Sequence, residues 1–143
     1  MTIEQALGRY LRLECPDITV LVSNRIYHGQ PPANATFPLL VFRKASEVYA
    51  AETMTDQGEL IRANFEVMAI SETSQEQAAS VAAAVKSSLA GAHGRMPSTD
   101  GDWSVSRPIR RTNEEDVAND RFVEQGLFAV AQSYEVMARP FTI

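Results

Sequence analysis

The sequence predicts an α+β domain, in which a mixed or antiparallel sheet of four to five strands with a long hairpin packs against two helices mainly on one face. Residues 60–70 alternate between apolar and polar side chains, as a half-buried strand does. Residues 75–89 repeat apolar side chains at helical spacing. Residues 39–42 and 126–137 are apolar on both faces, which is typical of strands inside a sheet.

Length and composition narrow the class of protein. The 143 residues suit a single domain spanning 1–143, and 45% hydrophobic residues are typical of a globular chain. The net charge of −5 argues against a compact nucleic-acid binder, which usually carries a basic face. A wall along which DNA slides, however, should be neutral or acidic, because basic walls would hold the phosphates.

Targeting and redox signals are sparse. The single cysteine, Cys15, cannot form an intramolecular disulfide, which fits a reducing compartment. The amino terminus has no basic region followed by an apolar run, and no window reaches the length of a membrane span. We therefore expect a soluble protein that is made in the cytoplasm and has no membrane partner.

The amino-terminal quarter begins with a helix. Thr2 and Gln5 have capping-box spacing, and apolar residues follow at helical spacing until Pro16 ends the helix near residues 13–14. We interpret residues 20–27 as a short strand. Residues 29–36 are rich in glycine and proline and form a loop.

A long antiparallel hairpin follows. Its first strand opens at Phe37–Pro38 and becomes polar beyond Arg43, so we expect it to project from the core toward Tyr49. Residues 50–58 lead into the second strand. The positions of that strand expected in the core are Ile61, Ala63, Phe65, Val67 and Ala69.

The second half continues with a helix, a loop and two strands. The helix starts at Thr73 or Ser74, both of which have capping-box spacing, and it ends before Gly91. Residues 94–102 read as a polar loop. Residues 103–109 read as an edge strand because Pro108 cannot donate to a ladder. A charged connection over residues 107–125 leads to the final strand.

No motif in the sequence predicts catalysis, a cofactor or a metal. His28 and His93 lie far apart and lack ligands at metal-binding spacing, so we expect both at the surface. Asp100 and Asp102 flank Gly101 but the remaining positions of a calcium loop are missing, which favours a plain turn. Cys15 is expected to be a buried apolar residue rather than a reactive thiol. We predict that the protein is not an enzyme.

The charged connection allows two interpretations. Glu114, Glu115 and Asp116 could act as paired carboxylates, but consecutive residues rarely converge on one substrate, so a solvated loop is favoured. Arg107, Arg110 and Arg111 could bind phosphate, but local pairing with the acids that follow is favoured.

Two segments suggest interaction with other proteins. The hairpin tip over residues 49–55 mixes apolar and polar side chains and offers backbone groups for sheet addition, although an ordinary mobile hairpin is an equal alternative. The carboxyl-terminal Phe141 and Ile143 are apolar. They either pack on their own core, which we favour, or dock on an adjacent subunit.

Several short motifs together resemble one family. Arg25-Ile26-Tyr27, Phe37-Pro38-Leu39-Leu40-Val41, the strand from Arg62 to Ala69 and the helix start Ser74-Gln75-Glu76-Gln77-Ala78 follow one another in order. This chain resembles the tail-completion or tail-terminator proteins of long-tailed bacteriophages and gene-transfer particles. The resemblance covers residues 1–91 and the last strand, whereas residues 107–125 are longer and more charged than the family pattern.

The resemblance implies a structural virion protein with no catalytic residues. Such proteins form a ring, usually a hexamer, that caps the tail tube, stops its polymerisation and joins it to the head-side connector, with DNA only as cargo in the lumen. The expected place is the head-proximal end of the virion tail, assembled in the cytoplasm of the bacterial host.

A ring needs surfaces that face a neighbour, the tube or the lumen. We expect these at Tyr49, Glu52, Thr53, Met54, Thr55, Arg110, Arg111, Glu114, Glu115, Asp116 and Phe141. Another head–tail connector ring, such as a head-completion or adaptor protein, is the first alternative. A small-ligand regulatory α+β domain, which would have an enclosed pocket and form a dimer, is the second.

Overall fold

The computed structural model describes residues 2–51, 60–97, 101–117, 122 and 124–141, with side chains at 49–51 excepted. In chain order the helices and strands are α1 (Ile3–Leu13), α2 (Pro16–Val22), β1 (Ile26–His28), β2 (Leu39–Ala51), β3 (Leu60–Ser71), α3 (Gln75–Leu89), β4 (Gly94–Met96), β5 (Trp103–Val105), β6 (Arg110–Val117) and β7 (Phe128–Pro140). The α+β class is therefore confirmed, with more strands than the four or five predicted.

The described strands form one mixed sheet in the order β1-β2-β3-β7-β5-β4, with β6 also paired to β7. Only the β1–β2 pair is parallel. The long strands β2, β3, β7 and β6 are antiparallel to each neighbour. Both β5 and β6 pair with β7 on the side away from β3, β6 along residues 129–135 and β5 along residues 138–140.

The first helix is built as its sequence predicts. The Thr2 side chain accepts a hydrogen bond from the Gln5 backbone, and the Gln5 side chain accepts one from the Thr2 backbone, so that the capping box is complete. Ile3, Leu7 and Leu11 are buried against the sheet.

The strand predicted over residues 20–27 is wrong in its first half, where the chain forms α2. Pro16 ends α1 but also occupies the first turn of α2, where its missing N–H and fixed φ suit a helix start. Ile18 and Val22, one turn apart, are both buried. Only Ile26–His28 is extended.

The two sequence motifs around Arg25 and Pro38 meet in the structure. The Arg25 side chain donates to the Pro38 carbonyl at 2.8 Å, and Ile26 pairs with Leu40. The loop between them crosses the face of the sheet opposite the helices. These contacts hold β1 beside the first residues of β2.

The long hairpin is confirmed, with Leu39 paired to Ile70 at one end and Ala51 to Leu60 at the other. The alternation of β3 is also confirmed, since Ile61, Ala63, Phe65, Val67 and Ala69 are all buried. Beyond Arg43, residues 45–48 of β2 are exposed as predicted. The strand does not leave the sheet, however, because β3 stays paired to β7 as far as Ile61.

The third helix starts at Ser74, whose side chain accepts from the Gln77 backbone at 3.1 Å, which decides between the two predicted starts. Its apolar stripe is confirmed, and the buried residues are Ala78, Val81, Ala82, Val85 and Leu89. The small alanine side chains let this helix approach β3 and β7 closely. All three helices contribute to one core on the same face of the sheet.

Two predictions for the second half are corrected. Gly94–Met96, expected in a loop, pairs with Trp103–Val105, a ladder too short to show any sequence period. The strand predicted over residues 103–109 ends at Val105. The charged connection is also no loop from Arg110 to Val117, where it forms β6; pairing with β7 overrides the poor strand propensity of its charged residues.

Candidate assembly surfaces

Among the described residues, the histidine, cysteine and acidic side chains do not gather into a metal site. No group of three His, Cys, Asp or Glu side chains among them could hold a metal ion. His28 is exposed and stacks on Phe42, and His93 is exposed. Cys15 is buried, as predicted, and this burial raises the pKa of its thiol to about 11, which makes it a poor nucleophile. Within the described part of the chain, no helix is long and apolar enough to cross a bilayer.

The charged residues predicted to lie together on a loop are divided by β6 between two faces of the sheet. Arg111 pairs with Glu114 at 3.2 Å on the helix side, where Asp116 also lies. Arg110 pairs with Glu135 at 3.3 Å on the opposite side, which Glu115 shares through its pairing with Ala131. The predicted pairing with the acids that follow is therefore present for Arg111, whereas Arg110 pairs with an acid of β7 that lies 25 residues later in the chain.

Glu114 reaches a polar site that the sequence did not reveal. The Gln132 amide donates to the Glu114 carboxylate and to the Ala82 carbonyl, and the Tyr134 hydroxyl donates to Gln132. Gln132 is buried on the helix side of β7. This network ties β6 to α3 and β7, so Glu114 has a structural role inside the subunit.

The predicted hairpin tip is described only in part. The backbone of Tyr49 pairs with Ile61. Glu52, Thr53, Met54 and Thr55 lie outside the described residues. Their assignment to an interface stays a prediction.

The carboxyl-terminal Phe141 packs on its own chain. The Arg95 guanidinium lies 4.2 Å from the centre of the Phe141 ring, and the Phe141 backbone donates to the Asp102 carbonyl. Phe141 remains partly exposed. Phe141 therefore packs on its own subunit, which is the alternative that the sequence favoured. Ile143 lies outside the described residues.

The sheet has two long free edges. β1 covers β2 only at Leu40–Phe42, so that Arg43–Ala51 has no second neighbour among the described strands. β6 pairs with β7 on one side and with no described strand on the other. Free strand edges present unpaired N–H and C=O groups, which a neighbouring chain can pair with.

The face opposite the helices, here called the helix-free face, carries paired polar side chains along the middle of β2 and β3. Arg43 pairs there with Glu66 at 3.4 Å, and Asn64 bonds Ser46 at 2.9 Å. At one end it carries an apolar cleft of about 390 Å³, which the sequence did not predict because its walls come from distant segments. The lining residues are Pro31, Pro32, Ala33, Ala35, Phe37, Ile70, Phe122, Gln125 and Leu127.

Comparison with protein families decides what kind of protein carries these surfaces. The profile of the family described as "Tail completion protein gp17" matches residues 11–123. The chain belongs to the tail completion protein gp17 family. This match spans most of the chain and confirms the resemblance predicted from the motifs. It includes β6 and most of residues 107–125, the segment that is longer and more charged than the family pattern.

A solved structure supports the fold of this tail completion protein. A chain in "Virion of native gene transfer agent (GTA) particle" superposes with a TM-score of 0.67 at 15% identity, covering 94% of this chain and 93% of that chain. At this identity the likeness establishes a shared fold. No curated protein sequence matches the chain. The protein is thus a structural component of a phage-type virion tail.

Proposed function

We propose that this tail completion protein forms a hexameric ring at the head-proximal end of the tail tube, where it stops tube polymerisation and joins tail to head. The family match over residues 11–123 carries the proposal. The partners are other copies of the chain, the tail tube protein and the head-side connector. Assembly takes place in the cytoplasm of the bacterial host.

The two free edges of the sheet support a ring. A closed ring uses a heterologous interface, in which one patch meets a different patch on the next copy. The edge at Arg43–Ala51 of β2 and the edge at β6 lie at opposite sides of the four long strands. Each copy can therefore contact one neighbour on each side.

The proposed work is mechanical, with no bond made or broken, so the protein is no enzyme and takes no cofactor. DNA passes through the lumen only as cargo. The overall charge of −5 suits this passage because a strongly basic wall would hold the phosphates.

The test is assembly of particles without this protein. We expect unattached heads and tails of uncontrolled length, and we expect addition of the purified protein to the tails to restore joining. Electron microscopy of tails before joining should show a ring at one end only. Normal joined particles in the absence of the protein would contradict the proposal.

A binding measurement separates this role from a head-completion or adaptor ring. The immobilised protein should retain tail tube protein from purified tails even when no head protein is present. Retention of the head-side connector alone would favour the adaptor role.

A further inference from the structure

We propose that the ring is held by β-sheet pairing between copies, in which β6 of one copy adds antiparallel to the free edge of β2 of the next. This inference rests on the proposed ring and names the contact that closes it. The four long strands of every copy would then join into one continuous barrel.

The two edges match in length. On β2 the free part is Arg43–Ala51, and β6 spans Arg110–Val117. Both contain β-bulges: Ala45 and Ala50 are skipped in the ladder of β2, and Thr112 in that of β6. Seven ladder positions remain on each edge, so that one can cover the other completely.

Strand direction is also compatible. The strands β2, β3, β7 and β6 alternate in direction, so β2 and β6 of one copy run in opposite directions. Rotation about a ring axis that runs along the barrel keeps the direction of every strand relative to that axis. The β6 strand therefore meets the next β2 antiparallel, as the rest of the sheet does, without any change within the subunit.

Barrel geometry specifies the register. Existing pairings place Arg43, Glu66, Ser133 and Asn113 in one row across the four strands. In closed barrels the strands tilt, and a tilt of about 36° moves a row by about one residue per strand. Four strands per copy move the row by about four ladder positions, so Asn113 meets Val48 of the next copy.

This register fits the free edge and the faces of the sheet. The remaining pairs are Val117 with Arg43, Asp116 with Lys44, Glu115 with Ser46, Glu114 with Glu47, Arg111 with Tyr49, and Arg110 with Ala51. β6 thus covers the free part of β2 and stops at the residues that β1 already occupies. An even shift also keeps each side chain on the same face as its partner, as the period of two requires.

The charges of the two edges are complementary. β6 carries two arginines and three acids, a net charge of −1, whereas Arg43–Ala51 carries Arg43, Lys44 and Glu47, a net charge of +1. Asp116 faces Lys44 in the proposed register, where Lys44 also contacts Glu47 and Glu4 of its own chain at 2.9 and 3.1 Å. Glu114 faces Glu47, but each already has a cation of its own chain, Arg111 at 3.2 Å and Lys44 at 2.9 Å.

The same arrangement assigns the lumen to the helix-free face, because the three helices need the wider space outside the barrel. On the four strands, up to Met137 of β7, the described side chains of this face carry three positive and three negative charges. They are Arg43, Arg62, Arg110, Glu66, Glu115 and Glu135. Six copies would give 24 strands, and at about 4.8 Å per strand and 36° of tilt the backbone barrel is about 45 Å wide, enough to admit a DNA duplex.

Disulfide trapping tests the register in assembled particles. In a Cys15→Ala background, the double variant Asn113→Cys, Val48→Cys should form disulfides between copies on mild oxidation. The crosslinked products should range from two copies up to the closed ring. Both positions are exposed, so the fold should tolerate them. Glu115→Cys with Ser46→Cys is a second pair that should behave alike, and particles with a visible ring are used in each case.

The matched control is Asn113→Cys with Arg43→Cys, which lie in one row of the same copy. Two strands separate β2 from β6, so these residues are about 14 Å apart and cannot bridge within one chain. The control should stay uncrosslinked.

Crosslinking of the control, or of any single-cysteine variant, would overturn the proposed register. Visible rings in which neither test pair crosslinks would overturn the strand pairing while leaving the ring intact; absence of any ring would refute the proposed function itself.

Discussion

The side-chain amide nitrogen of Gln132 lies 2.6 Å from a carboxylate oxygen of Glu114. The same nitrogen donates to the Ala82 carbonyl at 3.0 Å, and the Gln132 carbonyl oxygen accepts from the Tyr134 hydroxyl at 2.8 Å. Gln132 and Tyr134 are buried, so no solvent replaces these bonds if they are lost. A network with a buried centre specifies one arrangement of its elements, here of β6, β7 and α3.

Gln132→Met should lower the free energy of unfolding by about 1–3 kcal/mol, because it leaves the buried Tyr134 hydroxyl without an acceptor. Tyr134→Phe should also destabilise, by about 1 kcal/mol, because it leaves the Gln132 oxygen without a donor. The double variant should lose less than the two single losses together, since no unpaired group then remains between the two side chains. Urea denaturation measures all three.

Ser133→Ala is the control for this cycle. Ser133 lies between the two network residues on the opposite, partly exposed face, and its replacement should change stability by less than about 0.5 kcal/mol. Additive losses in the double variant would show that the two side chains are not coupled.

Stability should fall at alkaline pH. Burial raises the pKa of Cys15 from 9.0 to about 11 and, together with the nearby Cys15, that of Tyr10 from 10.0 to about 12. Between these values the unfolded chain releases protons that the folded chain keeps, so the free energy of unfolding decreases as pH rises. The contribution is complete below pH 9 and is lost progressively between about pH 9 and 12.

Urea midpoints measured from pH 8 to pH 11 test this dependence. Cys15→Ala should be less stable at pH 8 because a buried side chain is shortened, yet its midpoint should fall less steeply between pH 9 and 11. An unchanged slope in this variant would mean that the thiol makes no contribution.

Gly101→Ala should destabilise the protein by about 1–3 kcal/mol or more through overpacking. A Cβ at Gly101 would lie 2.1 Å from the backbone carbonyl of Met96, which cannot move aside as a flexible side chain can. Gly29→Ala is the comparison, because Gly29 has a φ of +85° but no atom near its Cβ position, and it should cost about 1 kcal/mol. Thermal unfolding of both variants checks the order, and a smaller loss for Gly101→Ala would contradict it.

Local patterns predicted much of the fold. The alternation from Ile61 to Ala69, the stripe on α3 and the capping box of α1 each depend on residues within one element, so they are readable without knowing the neighbours. The start of residues 20–27 was predicted as a strand but belongs to α2. Pro16 can end one helix or begin the next, and the sequence around it does not show which of the two applies.

The amino-acid sequence by itself determined the α+β class, the hairpin, α1, α3 and the family. Tertiary structure decided that Arg110–Val117 is a strand, that its charges lie on two faces, and that the exposed Glu114 bonds the buried Gln132. The physical reason is that these features depend on pairing with β7, which lies later in the chain. A strand whose side chains are mostly exposed has no apolar period of its own. Such a strand can be recognised only from the strand with which it pairs.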